Sequence, residues 1–128
     1  MVAVDTNVLI RLITRDHKEQ AARAARVFAE EQLWVAKTVL LETNWVLRSL
    51  YGFATRDVAH VLTKLAGLAN VHVEDPLAVA QALLWVESGL DFADGLHVAS
   101  RGRAERFATF DTRLVKRAAK LEIATFQP

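Results

Sequence analysis

The first apolar stretch, Val2-Ala3-Val4, is rich in β-branched valine and stops abruptly on Asp5. Such a run reads as a buried strand, and the denser pattern behind it (Val8, Leu9, Ile10, Leu12, Ile13) reads as a helix. Asp16-His17-Lys18-Glu19 has the form of a capping box, with Asp16 as N-cap of a helix running through Ala22, Ala25, Val27, Phe28 and Ala29. Leu33 to Ala36 forms a second strand. Thr38 opens a helix carrying Val39, Leu40, Trp45, Val46, Leu47 and Leu50, closed by Gly52, and a further helix spans Thr55 to Leu68. Asn70 to Val73 is a third strand. Asp75-Pro76 is a strong helix start, since proline at the first helical position loses no hydrogen bond. The helix it opens stops near Gly89, and Asp91 to Asp94 starts the next. Arg106 to Phe110 is a fourth strand ending on Asp111, followed by a helix over Thr112 to Lys120 and a last strand at Ile123 to Phe126. Strands alternating with helices, sometimes two helices at a time, predict an α/β fold with a mainly parallel sheet flanked by helices. No repeat, low-complexity segment or linker interrupts the pattern, so residues 1–128 read as a single domain.

Composition narrows the function classes. The 128 residues include no cysteine, which excludes a disulfide framework, a thiol nucleophile and the zinc sites built on sulfur. No apolar stretch approaches the roughly 18 residues of a membrane span, and no basic segment leads into a long apolar one at the start. The expectation is a soluble, unprocessed, cytoplasmic protein. The hydrophobic fraction of 52% is high for so small a domain, so some apolar surface is expected at a subunit or partner interface. The net charge of +1 neither demands nor excludes nucleic acid.

The candidate chemistry lies in the acids. Asp5 and Asp111 both end apolar strands and both precede threonine. In a parallel sheet the carboxyl ends of strands share one edge, where ligands bind, so the two carboxylates can face one crevice. Each can equally serve as N-cap of the next helix, and the two roles are compatible. Glu42 sits among Leu40, Leu41, Trp45 and Val46. It reads either as a buried acid that needs a partner or a metal, or as part of an exposed strip with Lys37 and Arg48. Asp91 and Asp94 stand three apart at a helix start, where Asp91 is the natural cap and the helix dipole favours Asp94.

Physics limits how such acids can converge. Two carboxylates about 4 Å apart repel by roughly 4 kcal/mol at an effective dielectric near 20. Three or four would protonate or spread unless a cation neutralised them. Oxygen ligands without cysteine favour a hard ion, Mg²⁺ with Mn²⁺ as substitute. Such an ion polarises a phosphoryl oxygen and activates water, the chemistry of phosphodiester hydrolysis.

Asp5-Thr6-Asn7 after an N-terminal strand, Glu42 on a helix, Asp94 in DFADGLHVA and Thr109-Phe110-Asp111 in ATFDTRL together resemble a PIN domain, in particular the VapC ribonuclease toxins. The resemblance spans nearly the whole chain. It implies an α/β/α sandwich and a Mg²⁺-dependent endoribonuclease that is usually a homodimer neutralised by a small antitoxin in a toxin-antitoxin pair. Asp5, Glu42, Asp94 and Asp111 match its acidic quartet as catalytic and metal-holding residues. Thr6, Asn7 and Thr109 match supporting polar positions, and Asp91 matches a position that is acidic in some relatives.

An acidic pocket wants a basic rim to hold RNA. Arg113, Lys116, Arg117 and Lys120 fall on one helical face, which is either that rim or an ordinary solvated surface; Arg11 is a further RNA-binding candidate. His97 reads as structural, and Trp34, Trp45 and Trp85 as core or interface. Two rivals remain open: a catalytically silent PIN-fold binding module, and a phosphotransfer domain using Asp5. Against the second, haloacid-dehalogenase phosphatases want an Asp where this chain has Asn7. The residues alone separate neither RNA from DNA nor one metal from two.

Overall fold

Seven helices alternate with five short strands in a computed structural model that describes residues 1–128. In chain order these are β1 (Val2–Ala3), α1 (Thr6–Thr14), α2 (Lys18–Glu30), β2 (Leu33–Val35), α3 (Lys37–Ser49), α4 (Thr55–Ala66), β3 (Val71–Val73), α5 (Pro76–Glu87), α6 (Phe92–Ala99), β4 (Phe107–Ala108), α7 (Thr112–Lys120) and β5 (Thr125–Phe126). Every strand pair is parallel, as the alternation predicts. The ladders are two: β1-β2-β3, and β4-β5 by itself. The strands ending on Asp5 and Asp111 belong to different ladders. By packing, the chain divides into residues 1–76 and 77–128.

In the first unit β2 is the central strand, pairing Leu33 with Val2 on one side and with Val71 on the other. Leu33 and Val35 are fully buried while Trp34 between them is exposed, the period of two expected of a strand. Helix α1 packs on α2 and α3, and α4 on α3 and β3. Helix α3 buries Leu40, Thr43, Asn44 and Leu47, spaced i, i+3, i+4, i+7. Trp45 is 58% exposed, so this tryptophan is not core.

The helix starts differ from the sequence reading. Helix α2 is capped by His17, whose Nδ1 accepts from the Gln20 amide at 3.1 Å, and not by Asp16. Asp16 is drawn off by better partners: it accepts from Tyr51 Oη at 2.5 Å, Thr14 Oγ1 at 2.8 Å and the Arg11 guanidinium at 2.9 Å. Helix α3 begins at Lys37 behind Ala36, which has no capping side chain. Its first amide donates instead to Glu74 Oε1 at 2.9 Å, a carboxylate just past β3. Nearby, the Asn70 side-chain amide donates to the carbonyls of Phe28 (2.7 Å) and Glu31 (2.9 Å), closing the end of α2.

The second unit has its own core of Leu90, Val98, Leu114, Ala118 and Ile123, with Trp85, Phe107 and Leu121 packed against it. Gly95 of α6 lies against α5: a Cβ there would stand 3.4 Å from the Cα and carbonyl oxygen of Ala82. Helix α5 buries Ala78, Val79, Ala82, Leu83 and Val86 but leaves Leu77 and Leu84 in solvent. No helix is long and apolar enough to cross a membrane.

Candidate active site

Each acid singled out in the sequence stands at or near the start of a helix. Asp5 is the N-cap of α1, its Oδ1 accepting from the Val8 amide at 3.2 Å. Asp111 is the N-cap of α7, where Oδ1 accepts from the amides of Arg113 (2.9 Å) and Leu114 (3.2 Å). Asp91 caps α6, with Oδ2 accepting from the Asp94 amide at 3.3 Å. The capping role therefore holds for all three. For Asp5 and Asp111 it engages one carboxylate oxygen and leaves the second for a ligand.

Asp94, in the first turn of α6, is the most perturbed of them. Burial pushes its carboxyl above the ordinary value of 3.8, and the neighbouring charges of Asp91 and Asp111 push the same way. His97 and Arg117 oppose them. Asp91, Asp94 and Asp111 thus form one electrostatic neighbourhood, with the basic face of α7 represented in it by Arg117. Clusters of this kind, desolvated and short of positive charge, concentrate at functional sites.

In the first unit Glu42 lies on the exposed side of α3, not toward the interior. The helix turns its buried face through Thr43 and Asn44 instead, one position on from where the apolar pattern pointed. Thr6 is buried at 7% exposure, and Asn7 is exposed. An open cleft of about 450 Å³ lies over α1 and α2, with Asp5, Asn7, Arg11, Gln20 and Arg23 on its polar side. Within it Arg11 is committed: Nε donates to Gln20 Oε1 at 2.7 Å, and one terminal nitrogen to Asp16 and, at 3.5 Å, to Tyr51. Arg23 is a lining residue that sequence reasoning passed over. Its only signal was its position on α2, and no local motif marks it.

Thr109 supports the turn into α7 through the backbone, not through a carboxylate: its Oγ1 accepts from the Asp111 amide at 3.0 Å. Arg113, Lys116, Arg117 and Lys120 are all exposed, while Leu114 and Ala118 are buried, so α7 is sharply two-faced.

The donor set suits a hard divalent ion in two respects. It offers only oxygen, and around Asp94 it carries negative charge that nothing fully offsets. The side chains are not drawn together, however: no three His, Asp or Glu residues are grouped closely enough to hold a metal ion.

Parallel strands that feed helices, with acids at the junctions, define an α/β protein of nuclease type. The chain belongs to the PIN domain family, whose model matches residues 2–121. PIN domains are usually nucleases, which makes this chain a hydrolase at the coarse level. No curated protein and no solved structure matched it.

Proposed function

We propose that the protein is a metal-dependent endoribonuclease, a single PIN domain that hydrolyses RNA phosphodiester bonds with Mg²⁺ or Mn²⁺. Asp5, Glu42, Asp94 and Asp111 are the carboxylates assigned to the ion, with Asp91 supporting Asp94. The observation that carries this reading is the environment of Asp94. A carboxylate partly desolvated beside two others, with only His97 and Arg117 opposing them, is the one of the four that a cation would favour most.

When bound, a hard divalent ion supplies Lewis acidity to a phosphoryl oxygen and acidifies water. The chain's own residues do the rest. Asp94 must be ionised to serve. Glu42, exposed on α3, accepts the proton that water loses as its oxygen bonds to phosphorus and the P–O ester bond breaks. Thr109 and the α7 amides fix Asp111, so that its free oxygen has one direction to offer. Thr6 and Asn7 flank Asp5 in the same supporting role. Arg113, Lys116 and Arg117 hold substrate phosphates without reading sequence. Arg11 joins them only if substrate displaces Asp16 from its guanidinium.

The family resemblance further supports a toxin of a type II pair, acting in the cytoplasm as a homodimer and restrained by a small antitoxin protein. The central test is cleavage of a labelled single-stranded RNA with Mg²⁺ or Mn²⁺. Wild type is expected to cleave it, and Asp94→Asn or chelation to reduce the rate at least 100-fold. Millimolar Mn²⁺ should also raise the melting temperature of wild type but not of Asp94→Asn. Metal-independent cleavage, or no cleavage of any RNA, refutes the assignment. Induced expression examines the toxin role: growth should arrest with wild type and continue with Asp94→Asn.

A further inference from the structure

The second unit holds an aromatic side chain that the fold does not use. Phe110 is 75% exposed, although burying a phenylalanine is worth roughly 1.5–3 kcal/mol. It lies immediately before Asp111, in the turn between β4 and α7. That turn is pinned at both ends: Thr109 Oγ1 accepts the Asp111 amide, and Asp111 Oδ1 accepts the two following amides of α7. The ring is thus held outside by a fixed backbone, next to an acid of the Asp94 neighbourhood.

The chain on either side of it is basic. Between residues 101 and 120 the chain carries seven basic residues against two acidic ones. The exposed face of α7 presents Arg113, Lys116, Arg117 and Lys120 with no acid among them. A solvated aromatic on a hydrogen-bonded turn that leads into a helix with a cationic face is a combination suited to single-stranded nucleic acid. Stacking takes the base and the cations take the backbone, and a paired strand cannot use the ring because its bases are already stacked. An apolar protein partner would want an apolar surround; α7 gives none, and Phe126 on the paired strand β5, 37% exposed, has the Arg106 guanidinium 4.5 Å over its ring.

We infer that Phe110 is a stacking platform for one unpaired base of the RNA substrate, and that the exposed basic face of α7 carries the adjoining phosphates. Phe110 thereby limits the enzyme to single-stranded segments and positions the strand beside Asp111. This rests on the ribonuclease reading above, and it adds the residue that selects for single strands.

The test measures binding of a fluorescein-labelled single-stranded RNA to the full chain by anisotropy, with EDTA present to prevent cleavage. Wild type, Phe110→Ala, Phe110→Leu and Phe110→Trp are compared. A lost base stack corresponds to about 1–3 kcal/mol, so Phe110→Ala should weaken binding by roughly 5- to 150-fold. Phe110→Trp should restore affinity and Phe110→Leu should not. Affinity for blunt duplex RNA should be unchanged in all variants, and in cleavage the loss should fall on KM more than on kcat. The ring is solvated, so the melting temperatures should agree within about 2 °C. Unaltered binding by Phe110→Ala overturns the inference, and so does full rescue by Phe110→Leu or an equal loss on duplex. If wild type cleaves RNA and the variants match it, only the stacking role fails. If wild type neither binds nor cleaves RNA, the ribonuclease reading fails with it.

Discussion

At the scale of single residues the molecule shows two carboxylates displaced from the ordinary range in opposite directions. Asp94 titrates high because it is desolvated beside Asp91 and Asp111. The folded protein therefore binds a proton there that the unfolded chain has already released. Its stability falls as pH rises from about 3.8 through the raised value. Asp94→Asn is accordingly expected to raise the melting temperature of the metal-free protein at pH 7 while removing activity. Much of the group remains in contact with solvent, so the rise should be on the order of 2 °C in a thermal scan. A fall instead would mean that the carboxylate supports the fold. Asp16 shows the opposite sign: the Tyr51 hydroxyl, then Thr14 and Arg11, hold it down at about 2. Its contribution is present above the unfolded value of 3.8 and is lost as pH drops toward 2. Tyr51→Phe should thus melt earlier than wild type at pH 7, with the gap closing between pH 4 and 2. A gap that persists below pH 2 would assign the effect to the hydroxyl's other contact, the Arg11 guanidinium at 3.5 Å, and not to the ionised Asp16.

At the scale of elements the strands and helices were largely legible and their starts were not. The apolar periodicity placed every helix, and the Asp5, Asp91 and Asp111 caps follow from residue type and position. Asp16 misled because Tyr51, distant in sequence, competes for it. Thr38 misled because Glu74 supplies the missing acceptor from another element. A local pattern cannot register either contact. Glu42 misled in another way, since apolar neighbours on both sides gave it no clear phase and the buried face fell on Thr43 and Asn44. The Glu74 contact predicts that Glu74→Ala destabilises the protein by about 1 kcal/mol, the usual cost of a lost cap, visible as a drop of roughly 4 °C in melting temperature. Helix α7 carries a different expectation. Single-stranded binding should weaken with salt at a log–log slope that falls by about 0.7 for each contacting cation removed. Lys116→Ala and Arg117→Ala, titrated over a salt series, should each shift the slope by that amount. An unchanged slope would mark the face as merely solvated. The exposure of Phe110 had a faint signal in the sequence: alternation along β4 turns Phe107 and Thr109 inward and Ala108 and Phe110 outward.

At the scale of the whole molecule, order along the chain revealed the α/β class and the family, because both depend on pattern and on acids at element junctions. It did not reveal the ladders. The parallel pairing is as expected, and it is divided into two ladders, with β4 and β5 paired to each other over two residues. Strands that short carry too few side chains to announce their neighbours. The closure of α3 has an outcome in time as well as in space. As the polypeptide emerges from the ribosome, all of α3 is made more than twenty residues before Glu74 exists to accept its leading amide. The helix bearing Glu42 must then wait, frayed at its N-terminus, until β3 has docked beside β2. Asp94 and Asp111 are translated only after Glu74, so the start of α3 can be closed before the last two of the four acids have been made.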